Sequence, residues 1–124
     1  MITEPLCILT VDDSASMRAL LMNSLTQQGH KVIQAEDGRD ALELLDRSED
    51  QFDIIVTDIN MPRMDGYTLI KNLRETEKYR DLPIIVLSTE SSEPKDARAA
   101  GATGWVVKPF NANQLEISLR KLTH

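Results

Sequence analysis

Short apolar runs alternate along the chain with longer segments in which apolar positions recur every three to four residues. L-C-I-L-T-V (6 to 11), K-V-I-Q-A (31 to 35), F-D-I-I-V (52 to 56), P-I-I-V-L (83 to 87) and G-W-V-V (104 to 107) have the length and β-branched content of strands. The segments between them read as helices. Ser14 suits an N-cap, and after it Met17, Leu20, Leu21, Ser24 and Leu25 share one helical face up to Gly29, where a C′ glycine belongs. Ala41, Leu42, Leu44 and Leu45 mark a second helix within 38 to 48, and Asp65 can cap a third that carries Leu69, Ile70 and Leu73. A short fourth helix is expected around 96 to 100, ending at Gly101. Asn111 can cap a last one whose Leu115, Leu119 and Leu122 face inward.

Strand and helix in regular alternation predict βαβ units and a parallel sheet. No Gly/Ser linker, repeat or low-complexity tract separates the units. The expectation is one α/β domain over residues 1–124, a doubly wound five-stranded parallel sheet in the flavodoxin-like order 2-1-3-4-5 with helices on both faces. In such sheets ligands bind beyond the carboxyl ends of the strands.

Composition narrows the partners. The chain carries 14 basic and 20 acidic residues, a net charge of −6, and lacks the basic field that phosphate backbones or anionic lipids attract, which argues against nucleic acid. It has no apolar run long enough to span a membrane and no secretion signal. Cys7 is the only cysteine, so an intramolecular disulfide is excluded and a reducing, cytoplasmic location is expected.

At the strand ends the sequence sets Asp12 and Asp13 after the first strand, Asp58 after the third, Ser88 after the fourth and Lys108 after the fifth. Each has an ordinary alternative as a turn, cap or solvated residue. Jointly they are complementary chemistry at the ends of four strands. In the order 2-1-3-4-5 the three carboxylates converge, repelling by about 4 kcal/mol per close pair at an effective dielectric near 20. A hard divalent cation relieves this. Mg²⁺ prefers a few carboxylate or carbonyl oxygens, which Asp12, Asp13, Asp58 and the main-chain carbonyl of Asn60 can supply.

The elements V-D-D-S, T-D-I-N-M-P-R-M-D-G, L-S-T-E and V-V-K-P-F, in that order, resemble the receiver domain of two-component response regulators over practically the whole chain. The resemblance implies that Asp58 is the phosphorylation site. It would take a phosphoryl group from a phosphohistidine of a sensor histidine kinase or a histidine phosphotransfer protein, with Mg²⁺ neutralising charge. It also implies that Lys108 pairs with the phosphoryl oxygens, with Lys108-Pro109 a candidate cis peptide, and that Ser88 is the switch hydroxyl and Trp105 the switch aromatic. Asn60 and Glu90 resemble the pair that tunes dephosphorylation. Such a protein is a phosphoacceptor that assists its own phosphorylation and dephosphorylation, not an enzyme acting on other substrates.

Within the family, the M-R after D-D-S-A-S, the G-A-T-G-W-V-V-K-P-F ending and the lack of an output domain resemble the stand-alone chemotaxis, or CheY, type. That type implies a monomer with a downstream target such as the flagellar motor switch. The alternative is a non-chemotaxis phosphorelay shuttle or a sporulation-type receiver. Between Ser88 and Gly101 the chain is about two residues shorter than in that type and contains Pro94, so the fourth helix is expected to start late. A flavodoxin-type cofactor binder would need a neutral phosphate loop where V-D-D-S puts two carboxylates, and a small Mg²⁺-dependent phosphatase would need substrate-covering insertions. His30 is expected at a helix-to-strand turn and His124 at the terminus.

Overall fold

The computed structural model describes residues 4–89 and 95–123. The elements follow in the order β1 (Cys7–Val11), α1 (Ala15–Gln27), β2 (Lys31–Ala35), α2 (Gly38–Arg47), β3 (Ile54–Asp58), α3 (Gly66–Glu75), β4 (Ile84–Ser88), α4 (Lys95–Ala100), β5 (Gly104–Val107) and α5 (Ala112–Thr123). A 3-10 turn, Glu77–Tyr79, precedes β4. All strand pairings are parallel, in the order β2-β1-β3-β4-β5. This is the expected doubly wound sheet.

The expected caps form. Ser14 Oγ accepts from the Met17 N–H at 3.3 Å, Asp65 Oδ1 from the Thr68 N–H at 2.8 Å, and Asn111 Oδ1 from the Asn113 N–H at 2.7 Å. Gly29, just past the end of α1, has φ +93°, a left-handed backbone that glycine adopts without a Cβ clash.

Two expectations need correction. β3 runs two residues later than F-D-I-I-V suggests, because the ladder with β1 sets Ile8 opposite Ile54 and Val11 opposite Thr57. Asp53 finishes the ladder's near end instead. Its N–H donates to the Cys7 carbonyl and its carboxylate accepts from the Cys7 N–H, both at 2.8 Å. Asp58 and Ser88 are therefore the last residues of β3 and β4, not the first beyond them. The second correction is Leu20, which is 48% exposed. Successive helical residues are about 100° apart, so with Leu21 and Leu25 turned fully inward Leu20 falls off the buried stripe. Pro94, and with it the late start of the fourth helix, lies outside the described residues, as do Glu90 and His124.

The pleat sorts the strand residues into two apolar layers. Leu9, Val11, Ile55, Ile84 and Val86 pack with Leu45, Leu69, Ile70, Leu73 and Ala97 from α2, α3 and α4. Ile8, Ile54, Val56, Ile85, Leu87 and Val106 pack with Leu21, Leu25, Leu115 and Leu119 from α1 and α5. Each such side chain, fully buried, contributes about 1.5–3 kcal/mol. The central strands are thus apolar over most of both faces, the buried exceptions, Thr10 and Thr57, standing one residue before the carboxyl ends of β1 and β3.

Two polar anchors lock helices to this frame. His30 sits at the α1–β2 turn, as expected, but is buried. Its Nδ1 accepts from the Leu6 N–H at 3.0 Å, so Nε2 carries the proton and donates to Glu116 of α5 at 2.7 Å. Arg74 of α3 donates to the carbonyls of Gly101, Tyr79, Arg80 and Leu82 at 2.7–3.1 Å.

Candidate functional site

β1 ends at Val11, and the next residue, Asp12, is 1% exposed. Its Oδ1 accepts from the Ser14 N–H at 2.9 Å and its backbone carbonyl from Arg18 Nη1 at 2.7 Å, which fixes the turn into α1. Asp13, one residue on, is exposed. Asp58 closes β3, the neighbour of β1, and one carboxylate oxygen from each of Asp12, Asp13 and Asp58 lies within 4.8 Å of the others. The convergence expected from the strand order is present.

Lys108 follows β5 and reaches across the end of β4. Its Nζ is 3.1 Å from Asp58 Oδ1 and 3.5 Å from Asp12 Oδ2. The Ile59 N–H also donates to Asp58 Oδ1, at 2.8 Å, so both bonds to this carboxylate fall on one oxygen. Oδ2 is the oxygen not committed to the lysine. The Lys108-Pro109 peptide is cis, and the Lys108 N–H donates to the Ser88 carbonyl at 2.7 Å.

One ammonium facing three carboxylates leaves the pocket short of positive charge. Burial, helped by Asp58 and Asp13, pushes the Asp12 carboxyl above its usual range against the pull of the Ser14 N–H and Lys108. Its Oδ2 is buried without a hydrogen-bond partner. A buried carboxylate oxygen with only a distant ammonium for a partner, beside two further carboxylates, suits a hard divalent cation, and the donor set is all oxygen.

The β3–α3 loop is shaped around Asp58. The Gly66 N–H donates to the Ile59 carbonyl at 2.7 Å, and a Cβ on Gly66 would lie 2.5 Å from the Asp58 carbonyl oxygen. Only glycine allows the loop to return this close. Asn60 stands exposed in that loop. Ser88, 5% exposed, lies one residue beyond Leu87, the partner of Asp58 across the sheet. Trp105 is not in the pocket. It pairs with Val86 in the middle of the β4–β5 ladder and lines two clefts, of about 270 and 350 Å³, whose walls include Ser118 of α5.

Residues 8–120 match the family model of the response regulator receiver domain. The chain belongs to the response regulator receiver family. This receiver is 42% identical over 115 residues to a chemotaxis protein CheY homologue of Campylobacter jejuni, covering 90% of this chain and 88% of the relative. It superposes on the structure of the chemotaxis response regulator CheY4 of Vibrio cholerae with a TM-score of 0.88 and 39% identity, covering 96% and 99% of the two chains. It also superposes on the receiver domain of the Pseudomonas aeruginosa sensor histidine kinase PA1611, at a TM-score of 0.87 and 26% identity over 97% of this chain and 98% of that one. That structure holds a magnesium ion coordinated in its active-site cleft. Receivers are phosphoacceptor switches that bind Mg²⁺ at an acidic cluster, and in this chain Asp12, Asp13 and Asp58 form a group of carboxylates close enough to hold one ion. No described helix is long and apolar enough to cross a membrane.

Sequence reading of this receiver did not single out Asp37 and Arg63, which form a two-bond ion pair beside the site. Asp37 could have been marked as the residue before Gly38 at a helix start, but no local pattern ties it to a residue 26 positions away.

Proposed function

We propose that the chain is a stand-alone phosphorylation switch of a two-component system, with Asp58 as the phosphoacceptor. One observation carries this: Asp58 ends a buried strand with one oxygen on Lys108 Nζ at 3.1 Å, inside a cluster of three carboxylates. A carboxylate oxygen of Asp58 attacks phosphorus while the P–N bond to a phosphohistidine breaks, and the electron pair returns to the imidazole. Phosphoryl transfer asks mainly for positioning and charge stabilisation. The rigid strand end supplies the first. Asp12, Asp13, Asp58 and the Asn60 main-chain carbonyl would hold Mg²⁺, which offsets charge on the phosphoryl oxygens. Lys108 neutralises the opposite side, and Ser88 donates its hydroxyl to the phosphoryl group once it is on Asp58. By the family resemblance, Asn60 and Glu90 set how readily water reaches the phosphoryl group. The protein acts on itself and a donor, in the cytoplasm.

Similarity to the Campylobacter CheY homologue and the Vibrio CheY4 structure supports a chemotaxis role, with a chemotaxis histidine kinase as donor and a protein such as the flagellar motor switch as target. The likeness to a receiver that belongs to a sensor histidine kinase favours a second reading, a phosphorelay shuttle served by a histidine phosphotransfer protein. The test is labelling of the whole chain by acetyl phosphate with and without Mg²⁺, followed by transfer from each class of phosphohistidine donor. Mg²⁺-dependent labelling that Asp58→Asn abolishes is expected. Full labelling of that variant would move the acceptor elsewhere, and faster transfer from the phosphotransfer protein would favour the shuttle.

A further inference from the structure

Arg63, in the loop between β3 and α3, has φ +63°, a left-handed backbone that an arginine adopts only when its surroundings hold it there. Two constraints do so. The Met64 N–H donates to the Pro62 carbonyl at 2.6 Å, closing a three-residue turn centred on Arg63. The guanidinium donates twice to Asp37, Nε to Oδ2 at 2.8 Å and Nη2 to Oδ1 at 3.2 Å.

Asp37 is itself built in. It is 4% exposed and caps α2 by accepting from the Asp40 N–H at 2.9 Å. Burial alone would raise its carboxyl, but the Arg63 hydrogen bonds and the Asp40 N–H outweigh that and hold it below the usual range. Loop and helix also meet through the backbone, since the Gly38 N–H donates to the Met64 carbonyl at 3.0 Å. A Cβ on Gly38 would sit 2.8 Å from that same oxygen.

The bracket reaches the carboxylate cluster from two sides. Two residues before Asp37, the Ala35 carbonyl accepts from the Asp12 N–H at 3.2 Å. The end of β2 therefore holds Asp12 through its backbone, and Asp37, in the connection that follows, holds the loop after Asp58 through Arg63. Neither Arg63 nor Asp37 contributes an oxygen to the cluster.

We propose that Arg63 and Asp37 are positioning residues of the phosphoryl-transfer site, their ion pair fixing the loop that carries Asn60 against Asp12 and so setting the site's affinity for its divalent cation. This rests on the reading of Asp58 as phosphoacceptor. An ion pair that ties an exposed turn to a buried helix cap has an ordinary stabilising role as well, and the two roles separate by experiment. Arg63→Asn suits the left-handed backbone and removes the fork, Arg63→Lys keeps a charge, and Asp37→Asn keeps a capping oxygen.

The test titrates Mg²⁺ alone into the whole chain, follows acetyl phosphate labelling at limiting and saturating Mg²⁺, and records Tm for each variant. Arg63→Asn should weaken Mg²⁺ binding by about tenfold and slow labelling at limiting Mg²⁺, with the rate recovering at saturation. Arg63→Lys should restore part of the affinity, Asp37→Asn should lose as much as Arg63→Asn, and the double variant should be no worse than either. Folded variants with a lowered Tm but unchanged Mg²⁺ affinity would overturn the proposal alone. A wild-type chain that takes no label would overturn the phosphoacceptor reading and this one together.

Discussion

Lys108 Nζ lies 3.1 Å from Asp58 Oδ1, although 50 residues separate them in the chain. Parallel strands bring their carboxyl ends to one edge, where the ammonium reaches an oxygen of Asp58 and one of Asp12. Lys108→Met keeps the stem and removes the charge. Mg²⁺ affinity should then rise by about fivefold, since an ammonium no longer competes for the same oxygens, a change worth about 1 kcal/mol with water-like screening. Affinity for a beryllofluoride mimic of the phosphoryl group should fall, because the mimic's fluorines lose their cation. Calorimetric titration with Mg²⁺, then with the mimic, separates the two. A parallel fall in both would mean that Lys108 only keeps the pocket in shape.

Asp12→Asn should make the metal-free protein more stable and a poorer switch. Burial foremost, with Asp58 and Asp13, raises the Asp12 pKa in the folded chain above its value in the unfolded chain. Stability from such a carboxyl is fully present below the unfolded value and lost as pH rises through the folded one. At pH 7 the ionised Asp12 is therefore a cost that Asn removes. The variant's Tm should exceed wild type at neutral pH without Mg²⁺, and the gap should close as pH falls through the raised Asp12 pKa toward the unfolded value. Adding Mg²⁺ at about 100 times its Kd stabilises wild type by about 2.7 kcal/mol and should help the variant far less. Equal Mg²⁺ stabilisation of both would take Asp12 out of the cation site.

The strand order and the gathering of Asp12, Asp13, Asp58 and Lys108 were legible because both follow from local patterns plus the rule that parallel strands share one carboxyl edge. The β3 boundary was not. Thr57 and Asp58 join the strand through pairing with β1 and β4, which apolar periodicity does not register. Leu20 failed for the reverse reason, since periodicity alone gives it the same claim to the core as Leu21. His30–Glu116 and Arg63–Asp37 were invisible because each joins residues with no shared local signal, 86 and 26 positions apart.

Arg74→Met should destabilise the fold without touching the cation site. The guanidinium donates to the carbonyls of Gly101, Tyr79, Arg80 and Leu82 and to Thr103 Oγ1, tying α3 to the starts of β4 and β5 and the end of α4. Methionine fills much of the stem's volume but leaves those acceptors to water or to nothing. A loss of about 2–4 kcal/mol in urea denaturation is expected, with Mg²⁺ affinity unchanged. A loss under about 0.5 kcal/mol would mean that water replaces the guanidinium at little cost.

Trp105 is the only tryptophan, so its emission reports the β5 edge without a label. It is half-buried, paired with Val86, while two residues along the same ladder Val107 pairs with Ser88. The Ser88 hydroxyl and the indole are thus neighbours along one pair of strands. If a phosphoryl group on Asp58 draws Ser88 toward it, the indole should move from a half-exposed to a more buried rotamer, a shift between two populations of one chain. Mg²⁺ and beryllofluoride added to wild type should blue-shift its emission. Asp58→Ala, with no carboxylate to bind the mimic, should not respond. Ser88→Ala should bind the mimic and shift less, because the hydroxyl that couples site to strand is gone. Comparing spectra at saturation keeps affinity differences out of the result. An equal shift in wild type and Ser88→Ala would mean that the indole responds to the site by a route other than Ser88, and the pairing of these two residues as a switch would have to be given up.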